Sequence, residues 1–253
     1  MTTTGSVQAE DRLARIVELL DRDGALTLEV VAEQLGVSSM TVRRDLDRLE
    51  SEGVLRRVRG GAVAIPRPQP FGERRAVRAN AKRVMAEKAL EFLPVGGAIA
   101  LDASTTTGTL ATRLKDRPGL TVVTNSYENF VAIGEGATPS RLLVGGEVEP
   151  ETGSFVGQLA SEMARSLLYR VFFSSAAAID HLHGTSEVSI AESQVKRAFA
   201  SKAEKIVLCV DSSKLGQRAV APAFGLAEIS VLVTELDPGD PRLDAYRELV
   251  ELR

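Results

Sequence analysis

A single glycine between two short amphipathic segments constrains this chain more than any other feature. Residues 28–35 place Leu28, Val31, Ala32 and Leu35 on one helical face, with Thr27 positioned to cap the first turn. Gly36 can take the positive φ on which helices commonly end. Ser38 then reads as the N-cap of a second helix, in which Val42, Leu46 and Leu49 fall at i, i+4 and i+7. Val37 and Val42 occupy the two positions of a hydrophobic staple. Helix, glycine turn and capped helix make a helix-turn-helix unit.

The outward face of the second helix carries Ser38, Ser39, Met40, Thr41, Arg43, Arg44 and Arg48. Short polar groups can reach base edges, and arginines can take guanines or phosphates. An isolated arginine-bearing helix is usually just a solvated face. Here its neighbours favour DNA. Residues 54–59 and 62–65 flank Gly60-Gly61 as a two-stranded wing, with Arg57 and Arg59 toward the DNA backbone. Residues 12–22 carry Leu13, Ile16, Val17, Leu19 and Leu20 as the stripe of a first helix. Residues 1–9 are polar and expected to be disordered. A winged helix-turn-helix over residues 8–65 is the expected first domain.

The net charge of −3 argues against nucleic acid only if charge is spread evenly, and it is not. Between Arg43 and Arg83 stand twelve Arg or Lys against five Asp or Glu, a local +7 that leaves −10 for the remainder. Phosphate affinity follows the local field. With 44% hydrophobic and 26% charged residues, the 253-residue chain can form a sizeable core. No apolar run is long enough for a membrane span, and the first residues carry no secretory pattern. One cysteine, Cys209, leaves no disulfide framework and fits a cytoplasmic location.

Three prolines at alternate positions (Pro66, Pro68 and Pro70) predict a stiff extended linker, taken as residues 66–79. Residues 71–93 read as a helix with Arg74, Arg75, Arg78, Lys82 and Arg83 on a basic face that either touches DNA or is solvated, the second being the expectation. From residue 80 onward, apolar runs at 98–101, 120–123, 141–144, 171–173, 206–210 and 230–233 alternate with helical patterns at 109–115, 128–134, 157–168 and 191–203. That alternation predicts a mostly parallel sheet covered on both faces, with the ligand crevice outside the carboxyl ends of its strands. Those ends carry Asp102-Ala103-Ser104-Thr105-Thr106-Thr107, Thr124-Asn125-Ser126, Gly145-Gly146 and Asp211-Ser212-Ser213-Lys214. Hydroxyls, free helix amides and a lysine suit an anion.

Thr41-Val42-Arg43-Arg44-Asp45-Leu46, Leu49-Glu50, Gly53, Leu55-Arg56 and Gly60-Gly61-Ala62 resemble the DNA-binding domain of the DeoR-type bacterial transcriptional regulators. Arg59 stands where that family more often has histidine. The strand ends, together with Val195-Lys196-Arg197-Ala198, resemble the effector domain of the same family, which is related in fold to ribose-5-phosphate isomerase. The resemblance spans about residues 10–235. It implies a phosphorylated sugar as effector, with Asp102, Ser104, Thr105, Thr106, Asn125, Lys196 and Lys214 lining its pocket. Ala103 and the run Ser174-Ser175-Ala176-Ala177-Ala178 replace glycine-containing turns of the family.

Ser193-Gln194-Val195-Lys196 matches S-x-x-K, but the partner motifs of acyl-transfer enzymes are absent. Asp180-His181-Leu182-His183 reads as a surface turn rather than a metal site. The expected protein is therefore a cytoplasmic, homo-oligomeric repressor with double-stranded DNA and a phosphorylated sugar as partners, and with no catalytic residue, metal, cofactor or membrane contact. Two alternatives stand beside it. One is a phosphosugar isomerase with an accessory DNA-binding module, for which Asp180 and Glu187 are the candidate bases. The other is a DNA-binding protein without an effector.

Overall fold

Leu13, Ile16 and Leu20 of α1 (Thr4–Asp23), Val31 and Ala32 of α2 (Leu28–Leu35), and Val42, Leu46 and Leu49 of α3 (Ser39–Ser51) close on one another. Leu26, Leu55 and Ala62 complete this core from the strands β1 (Ala25–Thr27), β2 (Leu55–Val58) and β3 (Gly61–Ala64). The computed structural model describes residues 4–64, 70–134 and 138–253, and the chain divides into two units, residues 1–65 and 66–253.

In the first unit Gly36 has φ 64° at the end of α2, the left-handed conformation its position required. Ser38 caps α3 by accepting from the Thr41 amide at 3.1 Å. Arg12 Nε meets Asp45 Oδ2 at 2.5 Å and Arg12 Nη2 meets Asp45 Oδ1 at 3.0 Å, a bidentate tie from α1 to the inner face of α3. Three sequence expectations change. Residues 4–9, expected to be disordered, are the first turns of α1. The Thr27 side chain makes no capping bond to α2; the Leu28 amide donates instead to the Gly60 carbonyl at 2.9 Å. The third change is the strand β1, which makes the wing three-stranded and antiparallel in the order β1-β3-β2. A Cβ at Gly61 would stand 1.8 Å from the Leu26 carbonyl oxygen, so the β1–β3 pairing needs glycine there.

The second unit is built on a seven-stranded sheet. Its strands are β4 (Gly97–Leu101), β5 (Leu120–Thr124), β6 (Ser140–Leu143), β9 (Val171–Ser174), β12 (Ile206–Cys209), β14 (Val231–Val233) and β15 (Glu251–Leu252). Their order is β15-β14-β12-β9-β4-β5-β6, and every neighbouring pair is parallel. Side chains alternate between its faces. Ala100, Val123, Phe172 and Leu208 face a core shared with α8 (Gly157–Arg165) and α9 (Ile190–Ala200). Phe172 stacks there against Phe199, with ring centroids 5.3 Å apart. Ile99, Leu101, Val122, Phe173 and Cys209 face the other way, toward α5 (Ala79–Ala89) and α6 (Thr105–Ala111). Burial pushes the Cys209 thiol up to about 12, as suits an inert core side chain.

The remaining described elements are α4 (Phe71–Ala76), α7 (Tyr127–Ala132), the hairpin β7 (Glu147–Val148) with β8 (Phe155–Val156), and a small antiparallel sheet of β10 (Ala178–Asp180), β11 (Gly184–Glu187) and β13 (Ala221–Pro222). The helix expected over residues 71–93 is broken. Val77 is extended and Arg78 takes φ 51°, a conformation uncommon outside glycine. Of the linker expected over residues 66–79, residues 66–69 lie outside the described residues, while residues 71–76 are the helix α4 rather than extended chain. No described helix is long and apolar enough to cross a membrane.

Candidate DNA-binding and effector sites

On α3 the three inward leucine and valine positions dictate what faces out. Ser38, Ser39, Met40, Arg43, Arg44 and Arg48 are exposed, and Thr41 is half-buried with its hydroxyl 2.9 Å from that of Ser38. The Arg43 and Arg44 side chains make no hydrogen bond or ion pair among the described residues. Arg48 pairs with Glu52 at 2.8 Å across one turn. Arg59 is exposed at the β2–β3 turn. Arg57 is a correction. Its guanidinium pairs with Asp47 and donates to the carbonyls of Arg43 and Gly61 at 3.3 Å, while its amide donates to Glu50 at 2.7 Å. Only 17% of the Arg57 side chain is exposed, so it fastens β2 to α3 and does not present its charge at the wing tip.

In the second unit a parallel sheet brings every carboxyl end to one edge. There Asp102, after β4, is wholly buried. It accepts from the Ser104 amide (3.0 Å), Thr107 Oγ1 (2.8 Å), Ser174 Oγ (2.9 Å) and the Ser175 amide (2.7 Å), and pairs with Lys196 Nζ at 3.0 Å. Burial would push its carboxyl up, but Lys196 and the bonds from Ser104, Ser175 and Thr107 outweigh burial and hold it at about 2. Asp102 is therefore a correction among the expected pocket-lining residues: its lone pairs are already engaged within the protein. Lys196 on α9 is buried rather than solvated. It also meets Glu187 at 2.7 Å and donates to the Ser175 carbonyl at 2.8 Å. Burial opposes its charge, and Asp102, Glu187 and Glu192 together prevail, raising its pKa. Burial pushes Glu187 up, and Lys196 offsets only part of that. Asp180, the other candidate base, turns away to the Leu182 and His183 amides at 3.0 Å and to Arg218 at 3.3 Å.

Lys214 is only partly exposed and places Nζ 3.3 Å from Ser175 Oγ. Thus Ser174-Ser175 gathers Asp102, Lys196 and Lys214 around one turn. Ser104 caps α6 through the Thr107 amide at 3.1 Å; Thr105 Oγ1 lies 3.5 Å from the Arg74 carbonyl, and Thr106 is buried beside them. Asn125 ends the neighbouring strand. Its Nδ2 donates to the Phe155 carbonyl at 3.0 Å, and its buried Oδ1 has no partner among the described residues.

The expectation of a solvated basic face on residues 71–93 is overturned. Arg74, Arg78 and Lys82 recur every four residues and turn toward the strand ends, while Arg75 and Arg83 are exposed. That spacing was a signal in the sequence. Arg78 Nε meets Asp211 at 2.9 Å and Arg78 Nη2 meets Glu235 at 2.8 Å. Arg74 Nη2 approaches the Ala103 carbonyl at 3.5 Å. Lys82 is buried and donates to the Arg74 carbonyl. Burial, then Lys214, Arg74 and Arg78, lower its pKa to about 7 against the opposing pull of Asp211. Burial is also the main cause of the lowered pKa of Lys214. Thr107, Asn129 and Ser175 were missed as well. Asn129 Nδ2 donates to the Asp102 carbonyl at 2.8 Å and fixes the turn after β4.

A winged helix-turn-helix followed in sequence by a parallel α/β unit with basic side chains gathered at its strand ends has the layout of a DNA-binding regulator with a sensor domain. Residues 12–67 match the DeoR-like helix-turn-helix domain, and residues 77–236 match the DeoR C-terminal sensor domain. The chain belongs to the DeoR family of transcriptional regulators. It is 32% identical to the HTH-type transcriptional regulator GlpR of Haloferax volcanii, covering 95% of this chain and 94% of that one. It is 30% identical to the lactose phosphotransferase system repressor of Lactococcus lactis subsp. lactis, over 94% and 95% of the two chains. Among solved structures, ribose 5-phosphate isomerase from Methanocaldococcus jannaschii aligns at TM-score 0.39 and 15% identity, over 54% of each chain. That likeness is too remote to carry chemistry across.

Proposed function

We propose that this protein is a cytoplasmic repressor whose operator binding is controlled by a phosphorylated sugar. The observation that carries the reading is that Lys82 and Lys214 stand at the strand ends with the Arg74 carbonyl and Ser175 Oγ as acceptors, neither in a salt bridge among the described residues. Asp211 attracts both ammoniums but is itself paired with Arg78, and the positive excess that remains suits an anionic ligand. The names of its relatives support a sugar-linked role, and the hydroxyls of Ser104, Thr105 and Thr106 and the unpaired Asn125 Oδ1 suit a polyol.

Ser39, Met40, Thr41, Arg43 and Arg44 of α3 enter the major groove, Ser38 capping the helix that carries them. Arg48 and Arg59 contact phosphates. Paired half-sites call for a dimer or a larger homo-oligomer. Glu187 is engaged by Lys196 and Asp180 by Arg218, so neither carboxylate is placed to take a proton from carbon, and the chain acts as a binding protein. Thermal unfolding against a panel of sugars and sugar phosphates tests the effector. At least one phosphorylated sugar is expected to raise Tm where its unphosphorylated form does not. A panel without any such difference would sink the sugar-phosphate reading and leave a DNA-binding protein without this effector.

A further inference from the structure

The cations of the crevice are unequally matched. Lys196 has Asp102 and Glu187, and Arg78 has Asp211 and Glu235. Lys82 and Lys214 have neutral acceptors: the Arg74 carbonyl for the first and Ser175 Oγ for the second. Arg78, one turn before Lys82, pairs with Asp211 at 2.9 Å, and the Lys214 amide donates to the Asp211 carbonyl at 3.0 Å, so both lysines flank Asp211; the Lys214 ammonium lowers the proton affinity of Lys82. The hydroxyls at the start of α6 are less available for an anion, because those of Ser104 and Thr107 bond to each other and that of Thr107 donates to Asp102.

The acceptor that Lys82 uses is informative. Arg74 lies in the last turn of α4, a six-residue helix far too short to persist without outside contacts. Its holds include the Lys82 bond, the 3.5 Å approaches of Arg74 to Ala103 and of Thr105 to Arg74, and Phe71, whose ring lies 3.1 Å from where a Cβ of Gly108 would stand. A phosphoryl group offers an ammonium a charge-assisted bond, roughly twice as strong as one to a neutral carbonyl. An anion arriving beside Lys214 therefore competes directly with α4 for Lys82. In sequence, α4 is the first helix after the segment leading from the DNA-binding unit.

We propose that Lys82 and Lys214 together take the phosphoryl group of the effector, and that its capture draws Lys82 off the Arg74 carbonyl and loosens α4. This rests on the sugar-phosphate reading and assigns both its anionic end and the step by which binding leaves the pocket.

The test uses the full chain and inorganic phosphate as the probe, against chloride at matched ionic strength. Wild type, Lys82→Met, Lys214→Met and the surface control Lys202→Met are compared by thermal unfolding and by hydrogen exchange. Phosphate is expected to raise Tm of wild type and Lys202→Met and to leave the two pocket variants unmoved. In wild type, amides of residues 71–76 should exchange about threefold faster or more with phosphate, with no change in Lys82→Met. Equal stabilisation of Lys82→Met, an unresponsive wild type, or unchanged exchange across α4 would each overturn the proposal. A sugar phosphate that still stabilises Lys82→Met would remove this assignment and leave the sugar-phosphate reading standing.

Discussion

Five groups converge on the Asp102 carboxylate: two backbone amides, two hydroxyls and the Lys196 ammonium. Its ordinary value of 3.8 is held down at about 2 in the fold. A depressed carboxyl contributes stability above its unfolded pKa and loses it on the way down to the folded one. The window is thus about pH 4 to 2, and the contribution is about 2 kcal/mol. Unfolding followed from pH 5 to pH 2 should show that loss in wild type and a flatter profile in Asp102→Asn; identical profiles would remove Asp102 from the account. On α3 the comparison runs the other way. Arg44→Ala removes a side chain with no partner among the described residues, so the unfolding free energy should hold within about 0.5 kcal/mol while specific DNA affinity falls at least about tenfold. Loss of stability in step with affinity would mean that Arg44 supports the fold.

At the scale of elements, the wing depends on backbone contact as much as on side chains. Gly61→Ala should cost about 3 kcal/mol or more, since a methyl cannot share space with the Leu26 carbonyl. Calorimetry of the variant should show that loss; a normal Tm would place β1 elsewhere. Arg57→Ala should destabilise by about 1–2 kcal/mol through its bonds to Asp47, Arg43 and Gly61, and should leave the salt dependence of DNA binding unchanged. A shallower salt dependence without loss of stability would return Arg57 to the DNA contacts. The same elements show what could be read beforehand. The stripe of Val42, Leu46 and Leu49 and the apolar runs from residue 98 onward were legible, because burial on one face or both imposes a period. The strands β1, β7, β8, β13 and β15 span two or three residues, too few for any period to register. The break at Arg78 was hidden because tertiary bonds to Asp211 and Glu235 hold a conformation that local preference disfavours. The Arg57 misplacement has a similar cause: the sequence shows an arginine near a turn but not that Asp47 faces it.

For the whole molecule, family membership puts a DNA-binding domain and a sensor domain on one chain. A sugar phosphate that weakens operator binding about 100-fold needs a coupling of only roughly 2.7 kcal/mol between the units. The proposed exchange of one Lys82 bond and release of a six-residue helix would be changes of suitable size. Paired operator half-sites would double the leverage of such a change, since both recognition helices must match together.

The most direct measurement is fluorescence anisotropy of a labelled DNA fragment from upstream of the protein's own gene, titrated with protein and then with pooled sugar phosphates. Salt-sensitive binding is expected, lost in Arg44→Ala and reversed by at least one pool. In Lys82→Met the binding should persist while that pool loses its effect. Operator binding that every pool leaves untouched would contradict the account at its centre.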